Sequence, residues 1–284
     1  MKVKITADST CDLSPELLKQ YDIDVLPLYI IMNGKSYRDG VEITPDDIYA
    51  YISGGGESCG TAAANVDDYI HYFKPYLKEY DAVVHFQISS EMSACYQNAV
   101  LAAAELENVY PVDSRNLSTG IGHLVLDAAV MAQQGYDGAA IKAAMDEKKE
   151  RLDVSFFLDT LSYMRKGGRC SAVAALGANL LGLKPCIEVK NGKMGVGKKY
   201  RGKWEKVVGD YVRDRLTTGG EIEYDRIFIT DSGCSDERFE LAKQAVEQYG
   251  HFKEIYHTHA GCSVSNHCGP NTLGVLFYRK DKVR

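Results

Sequence analysis

Segment 81–97 constrains the fold of this chain more than any other, because it predicts a strand that turns directly into a helix. Its first half, Asp-Ala-Val-Val-His-Phe-Gln-Ile, is short, apolar and rich in β-branched residues, which is typical of a buried strand. The alanine-rich run that follows continues to Glu107 without glycine or proline and predicts a helix. Between them, Ser89, Ser90 and Ser93 indicate either a simple helix cap or an anion site at the positive end of the helix dipole.

Two more predicted strands end in small polar turns. Residues 2–5 are followed by Asp8-Ser9-Thr10, and residues 108–112 by Asp113-Ser114. Strands and helices alternate in this half of the chain, which predicts a mostly parallel sheet. Because ligands bind outside the carboxyl ends of such strands, the three polar turns predict a site at one edge of the sheet.

The predicted fold class is α/β with two domains. Residues 1–152 form an N-terminal domain, a mostly parallel sheet flanked by helices. Residues 153–284 predict a mixed α+β domain with a hairpin turned by Asn191-Gly192. This second domain also contains the almost wholly apolar run 171–183, predicted as a helix. A helix that is apolar on all sides is buried or lines an apolar cavity.

Charge and hydropathy exclude several classes of protein. The 284 residues carry a net charge of −6, which argues against a nucleic-acid partner because no basic excess neutralises phosphates. The start, Met1-Lys2-Val3-Lys4, lacks the apolar core of a signal peptide. The most apolar stretch, 172–183, is too short to span a bilayer. We therefore expect a soluble, cytoplasmic protein without stable membrane insertion.

The cysteines and histidines near the C-terminus indicate one possible function, a metal-binding or thiol-dependent enzyme, which is an alternative to the binding function described below. His257, His259, Cys262, His267 and Cys268 lie close together in the sequence, and zinc accepts both imidazole and thiolate ligands. Their spacing fits no familiar ligand pattern, however, and His267 is open to a second interpretation as a core histidine. The eight cysteines include no Cys-x-x-Cys, and we expect reduced, mostly buried thiols.

Nucleophilic and dinucleotide-dependent enzymes are less well supported. Cys95, Cys170 and Cys268 lie in no catalytic signature, and no Gly-x-Ser-x-Gly motif occurs. The turn after the first strand, Asp8-Ser9-Thr10, lacks the Gly-x-Gly-x-x-Gly pattern of dinucleotide-binding proteins. The basic run 198–203 fits either a docking patch for an acidic partner or a solvated hairpin end.

Several motifs, in their order and spacing, resemble the DegV family of fatty-acid-binding proteins. The resemblance extends over residues 5–278, and the motifs that carry it are 7–13, 89–99, 112–114, 158–163, 167–169, 180–185 and 267–270. It implies a two-domain protein that holds one long-chain fatty acid in an apolar tunnel, with the carboxylate near the domain boundary. It also implies a separate ATP-dependent fatty-acid kinase, of the dihydroxyacetone-kinase-like type, that receives the acid. The chain would then be a carrier without catalysis and without a cofactor.

The resemblance also assigns roles to individual residues. Thr61 and Ser93 match hydroxyls that hydrogen-bond the carboxylate, and His267 matches a histidine beside it. Arg169 matches an arginine near the head group, and Arg201 one that supports phosphoryl transfer. This chemistry is reasonable, because a buried carboxylate needs hydrogen-bond donors to offset its lost hydration.

The chain departs from the family pattern at three places. Ala62-Ala63-Ala64 stands where Ser, Gln and Pro usually follow the threonine, which removes a hydroxyl and a rigid proline. Ala94-Cys95 replaces Gly-Thr after Ser93, and Asn271 replaces a glycine.

Overall fold

A computed structural model describes residues 1–176 and 182–283. Its helices are α1 Pro15–Gln20, α2 Pro45–Ser53, α3 Val66–Tyr76, α4 Cys95–Ala103, α5 Thr119–Gln133, α6 Gly138–Lys148, α7 Ser162–Gly167, α8 Ser171–Ala174, α9 Trp204–Thr217, α10 Asp236–Tyr249 and α11 Cys262–Cys268. Its strands are β1 Val3–Asp8, β2 Ile23–Leu26, β3 Tyr29–Met32, β4 Lys35–Arg38, β5 Gly60–Ala62, β6 Ala82–Gln87, β7 Val109–Asp113, β8 Leu152–Phe157, β9 Leu183–Lys190, β10 Lys193–Arg201, β11 Ile222–Ser232, β12 Glu254–His259 and β13 Thr272–Arg279.

A four-stranded parallel sheet in the order β2-β1-β6-β7 forms the first layer. Every residue of β1 and β6 is buried, as expected of parallel strands covered on both faces. Val83 packs in one cluster with residues of α3 and α4, whereas Val84 packs in another with residues of α5 and α6. Side chains alternate along β6, so this strand contributes residues to two hydrophobic cores. The predicted parallel α/β sheet is confirmed.

A small antiparallel sheet in the order β4-β3-β5 lies beside it. The sequence predicts one strand over 23–32, but the structure divides it at Pro27 into β2 and β3, which belong to different sheets. Pro27 suggested an edge or a bulge in a single strand; because proline has no N–H for a sheet ladder, the strand instead ends there. The glycine-rich stretch 54–61 predicts a loop, but the structure places residues 60–62 in β5.

The third sheet is mixed and six-stranded, in the order β10-β9-β8-β13-β11-β12. Residues of α9 and α10 pack on one face, and α5 contacts the other through β8 and β13. Because α5 also contacts β1 and β6 of the parallel sheet, it lies between two sheets, and Thr119 to Leu126 is buried throughout. The six-stranded sheet begins at Leu152, next to the predicted boundary between 152 and 153. That two-domain division stays a prediction.

Helix boundaries differ from prediction at several positions. Helix α4 begins at Cys95, not directly after the strand at Ser89. Of the predicted apolar helix 171–183, the structure has a helix only over Ser171–Ala174; residues 177–181 lie outside the described ranges, and Leu183 already belongs to β9. Helix α11 was not predicted.

Two sequence-based expectations concern the whole chain. All eight cysteines fall in the described ranges as free thiols, and seven are buried, as predicted. Among the residues that the structure describes, no helix combines the length and hydrophobicity that crossing a membrane requires.

Candidate ligand-binding site

A cavity of about 250 Å³ lies where the carboxyl ends of β1 and β6 face α7, α11 and the start of β10. Its apolar lining residues in the described ranges are Leu28, Ala62, Ala63, Ile88, Met92, Ala94, Leu117, Met164, Met194, Val264 and Cys268. Methionine side chains are unbranched and flexible, so they adapt to a ligand of irregular shape. This lining suits an apolar chain.

Polar side chains lie in the same cavity. They are Thr10, Thr61, Ser93, Arg169, Ser263 and His267. All four residues predicted to surround a carboxylate are therefore brought together, although Thr61 and His267 are 206 positions apart in the chain. Among the described lining residues, Arg169 alone carries a permanent charge. The role of the four in binding a carboxylate stays a prediction.

Thr61 and His267 form a hydrogen-bonded pair, with 3.1 Å between Oγ1 and Nε2. Thr61 is positioned by β5, where it lies opposite Ile30 of β3, and His267 by the last turn of α11. The other ring nitrogen, Nδ1, is buried and has no hydrogen-bond partner among the described residues. It packs against Gly167, where a Cβ atom would lie only 2.1 Å away. Glycine at 167 is thus what allows the ring to occupy this position.

The protonation state of His267 follows from its surroundings. Burial, together with a smaller effect of the nearby Arg169 guanidinium, lowers the pKa of the imidazole to about 4. At neutral pH the ring is therefore uncharged, with one nitrogen as a donor and the other as an acceptor. A carboxylate bound beside it would favour the charged form and raise this pKa.

Of the three serines in the turn before α4, Ser93 faces the cavity. Ser89 donates its hydroxyl to the carbonyl of Gly192 at 2.7 Å, and Ser90 donates to Asp113 at 2.6 Å. The N-cap residue of α4 is Ala94, which supplies no side-chain cap. Ser93 Oγ accepts the N–H of Cys95, the first residue of α4, at 3.4 Å, so one of the three serines does cap the helix. The start of α4 also borders the cavity through Ser93 and Ala94.

The aspartates at the strand ends hold the loops around the cavity. Asp8 accepts the backbone N–H of Thr10 at 3.0 Å and that of Ile88 at 2.9 Å. Asp113 accepts the N–H of Ser90 at 3.1 Å. Burial raises the pKa of Asp8 to about 6, although these donors act in the opposite direction. The predicted polar edge thus exists: Asp8 positions the lining residues Thr10 and Ile88, and Asp113 holds the neighbouring turn at Ser90.

Two buried aspartates position α11. Asp39 accepts the N–H groups of Cys262 at 2.8 Å and Ser263 at 3.0 Å, and Asp12 accepts that of Gly261 at 2.8 Å. These contacts satisfy the first N–H groups of the helix. They direct Ser263 and, one turn later, His267 into the cavity.

Sequence reasoning missed Ser263. Its hydroxyl is buried and has no hydrogen-bond partner in the described part of the chain. The residues around it, Cys-Ser-Val-Ser-Asn, have weak helix propensity, so no signal for α11 was present.

Arg169 is positioned by the end of α7. Gly168 has a φ of +67°, the left-handed conformation that ends helices, as the pair Gly167-Gly168 predicts. Arg169 follows it, donates from Nη1 to the carbonyl of Gly167 at 2.9 Å, and is exposed. Its guanidinium therefore lies at the solvent side of the cavity.

Comparison with known proteins identifies the family of this chain. The sequence profile of the family described as "Uncharacterised protein, DegV family" matches residues 2–280. The chain belongs to the DegV family. A DegV domain-containing protein of Clostridium perfringens is 34% identical over 279 residues, 98% of each chain.

Two further DegV relatives are described by the ligand that they bind. A Thermotoga maritima protein that is 30% identical over 287 residues, 96% of each chain, is named a fatty acid-binding protein. A solved structure, described as fatty acid binding of a DegV family protein from Thermus thermophilus, has a TM-score of 0.88 at 29% identity. It covers 98% of this chain and 100% of that one.

Arg201 lies outside the cavity of this DegV family member. It is the last residue of β10, whereas Met194, near the start of the same strand, lines the cavity. Seven residues at about 3.3 Å each separate them by roughly 20 Å. Arg201 is exposed, and its predicted role in phosphoryl transfer stays a prediction.

The His/Cys cluster proposed for 257–268 does not form. The thiol of Cys262 donates to the carbonyl of Ile43 at 3.2 Å, and Cys268 packs in the main core. His267 faces Thr61, as described above. Only His257 and His259 of this set approach one another in the described structure, and they do so beside Asp231.

Proposed function

We propose that the chain binds one long-chain fatty acid, with the acyl chain in the apolar cavity and the carboxylate beside the Thr61–His267 pair. The observation that carries this proposal is the division of one cavity into an apolar lining and a small set of hydroxyl, imidazole and guanidinium groups. An amphiphile with one charged end matches that division. The fatty acid named for the Thermotoga and Thermus relatives is such a molecule.

The head group would be held by neutral donors and one cation. The hydroxyls of Thr61, Ser93 and Ser263 can each donate a hydrogen bond to a carboxylate oxygen. Arg169 supplies a single positive charge, which matches the single negative charge of the acid. Ser263 is a useful donor because its buried hydroxyl otherwise lacks a partner among the described residues.

The acyl chain would supply most of the affinity. Burying one methylene contributes about 0.8 kcal/mol, so ten of them contribute about 8 kcal/mol before the costs of association. A net binding free energy of about 8 kcal/mol would correspond to micromolar affinity, so a longer acyl chain and the head-group contacts offset the costs of association. A short carboxylate such as acetate has the same head group but lacks this term, and we expect it to bind weakly.

We further propose that the chain is a cytoplasmic carrier that presents the carboxylate to a separate fatty-acid kinase. A nucleoside triphosphate needs several cationic partners or a metal ion, whereas Arg169 is the one permanent charge among the described lining residues. The nucleotide is therefore assigned to the kinase and not to this cavity. The exposed guanidinium of Arg201 would serve the phosphoryl transfer at the contact with the kinase.

Native mass spectrometry of the purified protein, followed by lipid extraction, tests the binding proposal. We expect one fatty acid per chain in the wild type and reduced occupancy in Thr61→Ala. Thr217→Ala removes the same groups from an exposed threonine outside the cavity and should keep full occupancy. A wild-type protein without fatty acid, or with a different ligand, would overturn the proposal.

A further inference from the structure

A second cluster of ligating side chains lies on the six-stranded sheet, outside the fatty-acid cavity. Asp231 is near the carboxyl end of β11, and His257 and His259 are on the neighbouring edge strand β12. The two strands are parallel, with Asp231 opposite His259. Because His257 and His259 are two positions apart on one strand, their rings project from the same face.

The three side chains converge on one point. His257 Nε2 lies 2.6 Å from Asp231 Oδ2, and His259 Nδ1 lies 3.3 Å from the same oxygen. One nitrogen of each ring and one carboxylate oxygen all lie within 4.8 Å of one another. In a tetrahedral zinc site with bonds of about 2.0 Å, neighbouring ligand atoms are about 3.3 Å apart. Movements of less than about 1 Å would therefore bring the three atoms to that spacing.

We propose that Asp231, His257 and His259 bind a divalent transition-metal ion, with Zn²⁺ as the reference ligand. Two imidazoles and one carboxylate form a donor set that zinc uses in proteins, and it leaves a fourth position for water. The mixture of nitrogen and oxygen donors favours such an ion over Ca²⁺ or Mg²⁺, which take mainly oxygen ligands.

The buried part of the cluster is held in place before any ion binds. The second carboxylate oxygen of Asp231 accepts the N–H of Cys234 at 2.9 Å, which orients the carboxylate. The ring of His257 stacks on Phe239, with centroids 3.6 Å apart and planes 5° apart. A metal would therefore find two of its three ligands in fixed orientations, which lowers the entropic cost of binding.

The proposed metal site is open to solvent on the side of His259. Its side chain is 69% exposed, yet Nδ1 turns inward toward Asp231. The contact with Asp231 and the edge-on packing of the ring against His257, with centroids 4.5 Å apart, hold this orientation, and coordination of an ion at Nδ1 would add to them. Asp236, in the first turn of α10, adds negative charge near His259 and so favours a cation at this position. The thiol of Cys234 faces the carbonyl of Thr272 and is left out of the site.

Titration of Zn²⁺ into EDTA-treated protein without an affinity tag, in competition with a chromophoric chelator, tests the proposal. We expect one equivalent to bind. His259→Ala removes a residue that would coordinate the ion directly. Zn²⁺ binding should therefore weaken by more than the roughly 10–100-fold loss that follows when a residue contacting the ligands is replaced. His71→Ala, which removes an exposed histidine of α3, is the matched control and should leave the affinity unchanged.

Substitution with Co²⁺ gives an independent readout. Visible absorption bands of a four-coordinate ion should appear in the wild type and be absent from His259→Ala. Because His259 is exposed, this variant is expected to fold and to retain its normal fatty-acid content. Absence of stoichiometric binding in the wild type, or binding that survives His259→Ala, would refute the metal site and leave the fatty-acid proposal untouched.

Discussion

Replacement of Gly167 by alanine would displace His267 without removing any polar group from the cavity. A Cβ atom at 167 would lie 2.1 Å from Nδ1 of His267, whereas ordinary van der Waals contact begins at 3.4 Å. The ring must therefore move by about 1.3 Å, the difference between these distances. Gly167 has no positive φ and lies in α7, so the backbone accepts alanine. Alanine is favoured over glycine in a helix by about 1 kcal/mol.

The expected effect on binding follows from the displaced hydrogen bond. A shift of this size is large enough to spoil the distance or the angle of the 3.1 Å contact between Thr61 and His267, and it disturbs the groups around the carboxylate. The proposed hydrogen bond from this pair to the ligand carboxylate would be lost with it, and a hydrogen bond to a charged group contributes about 1.5–3 kcal/mol. Gly167→Ala should therefore weaken binding of palmitate by roughly 10- to 150-fold while the free energy of unfolding changes little.

The neighbouring Gly168 provides a matched control. It has a φ of +67°, and a Cβ atom there meets nothing within 4 Å. Gly168→Ala should lower the free energy of unfolding by about 1–2 kcal/mol through backbone strain while leaving His267 in place. Calorimetric titration of delipidated protein with palmitate measures the affinity, and denaturant unfolding measures the free energy of unfolding. Wild-type affinity in Gly167→Ala would refute the role assigned to the Thr61–His267 pair.

Four further predictions concern individual residues. Thr61→Ala and Ser93→Ala should each weaken palmitate binding by about 1–3 kcal/mol in the same titration, because each removes a donor to a buried charge; unchanged affinity in both would exclude them as the head-group site. NMR titration of the ligand-free protein should give His267 a pKa of about 4, which palmitate raises, whereas an ordinary value near 6.5 without ligand would contradict the burial argument. Since this folded-state pKa lies below the unfolded one, His267 should lower the free energy of unfolding as the pH falls from 6.5 through 4. Arg201→Ala should retain its fatty acid but lose acyl-phosphate formation with the proposed kinase, measured by trapping with hydroxylamine; loss of the lipid with full acyl-phosphate formation would show that Arg201 retains the lipid and does not serve phosphoryl transfer.

Local sequence patterns predicted most of the parallel sheet correctly. The β-branched, apolar residues of β6 predicted a strand buried on both faces, and Val83 and Val84 do lie in different cores. The polar turns after β1, β6 and β7 predicted a shared edge because neighbouring parallel strands end on the same side. These features depend on the periodicity of a single segment, which the sequence displays directly.

Predictions that required knowledge of distant contacts were less accurate. The strand predicted over 23–32 divides between two sheets. This division depends on which other strands each part pairs with, and a local sequence pattern does not identify those strands. Helix α11 has weak intrinsic propensity and is held by Asp12 and Asp39 from the other half of the chain. Ser263 was missed for this reason, since its place in the cavity depends on that helix.

The sequence by itself determined the α/β class, the polar strand ends and, through its likeness to the DegV family, the residues expected around a carboxylate. Only the tertiary structure decided which of them meet. It joins Thr61 to His267 through β5 and α11, leaves Arg201 outside the cavity, and separates the predicted His/Cys cluster into three environments. The physical reason is that side-chain direction depends on helix boundaries and strand pairing, and both are determined by long-range packing.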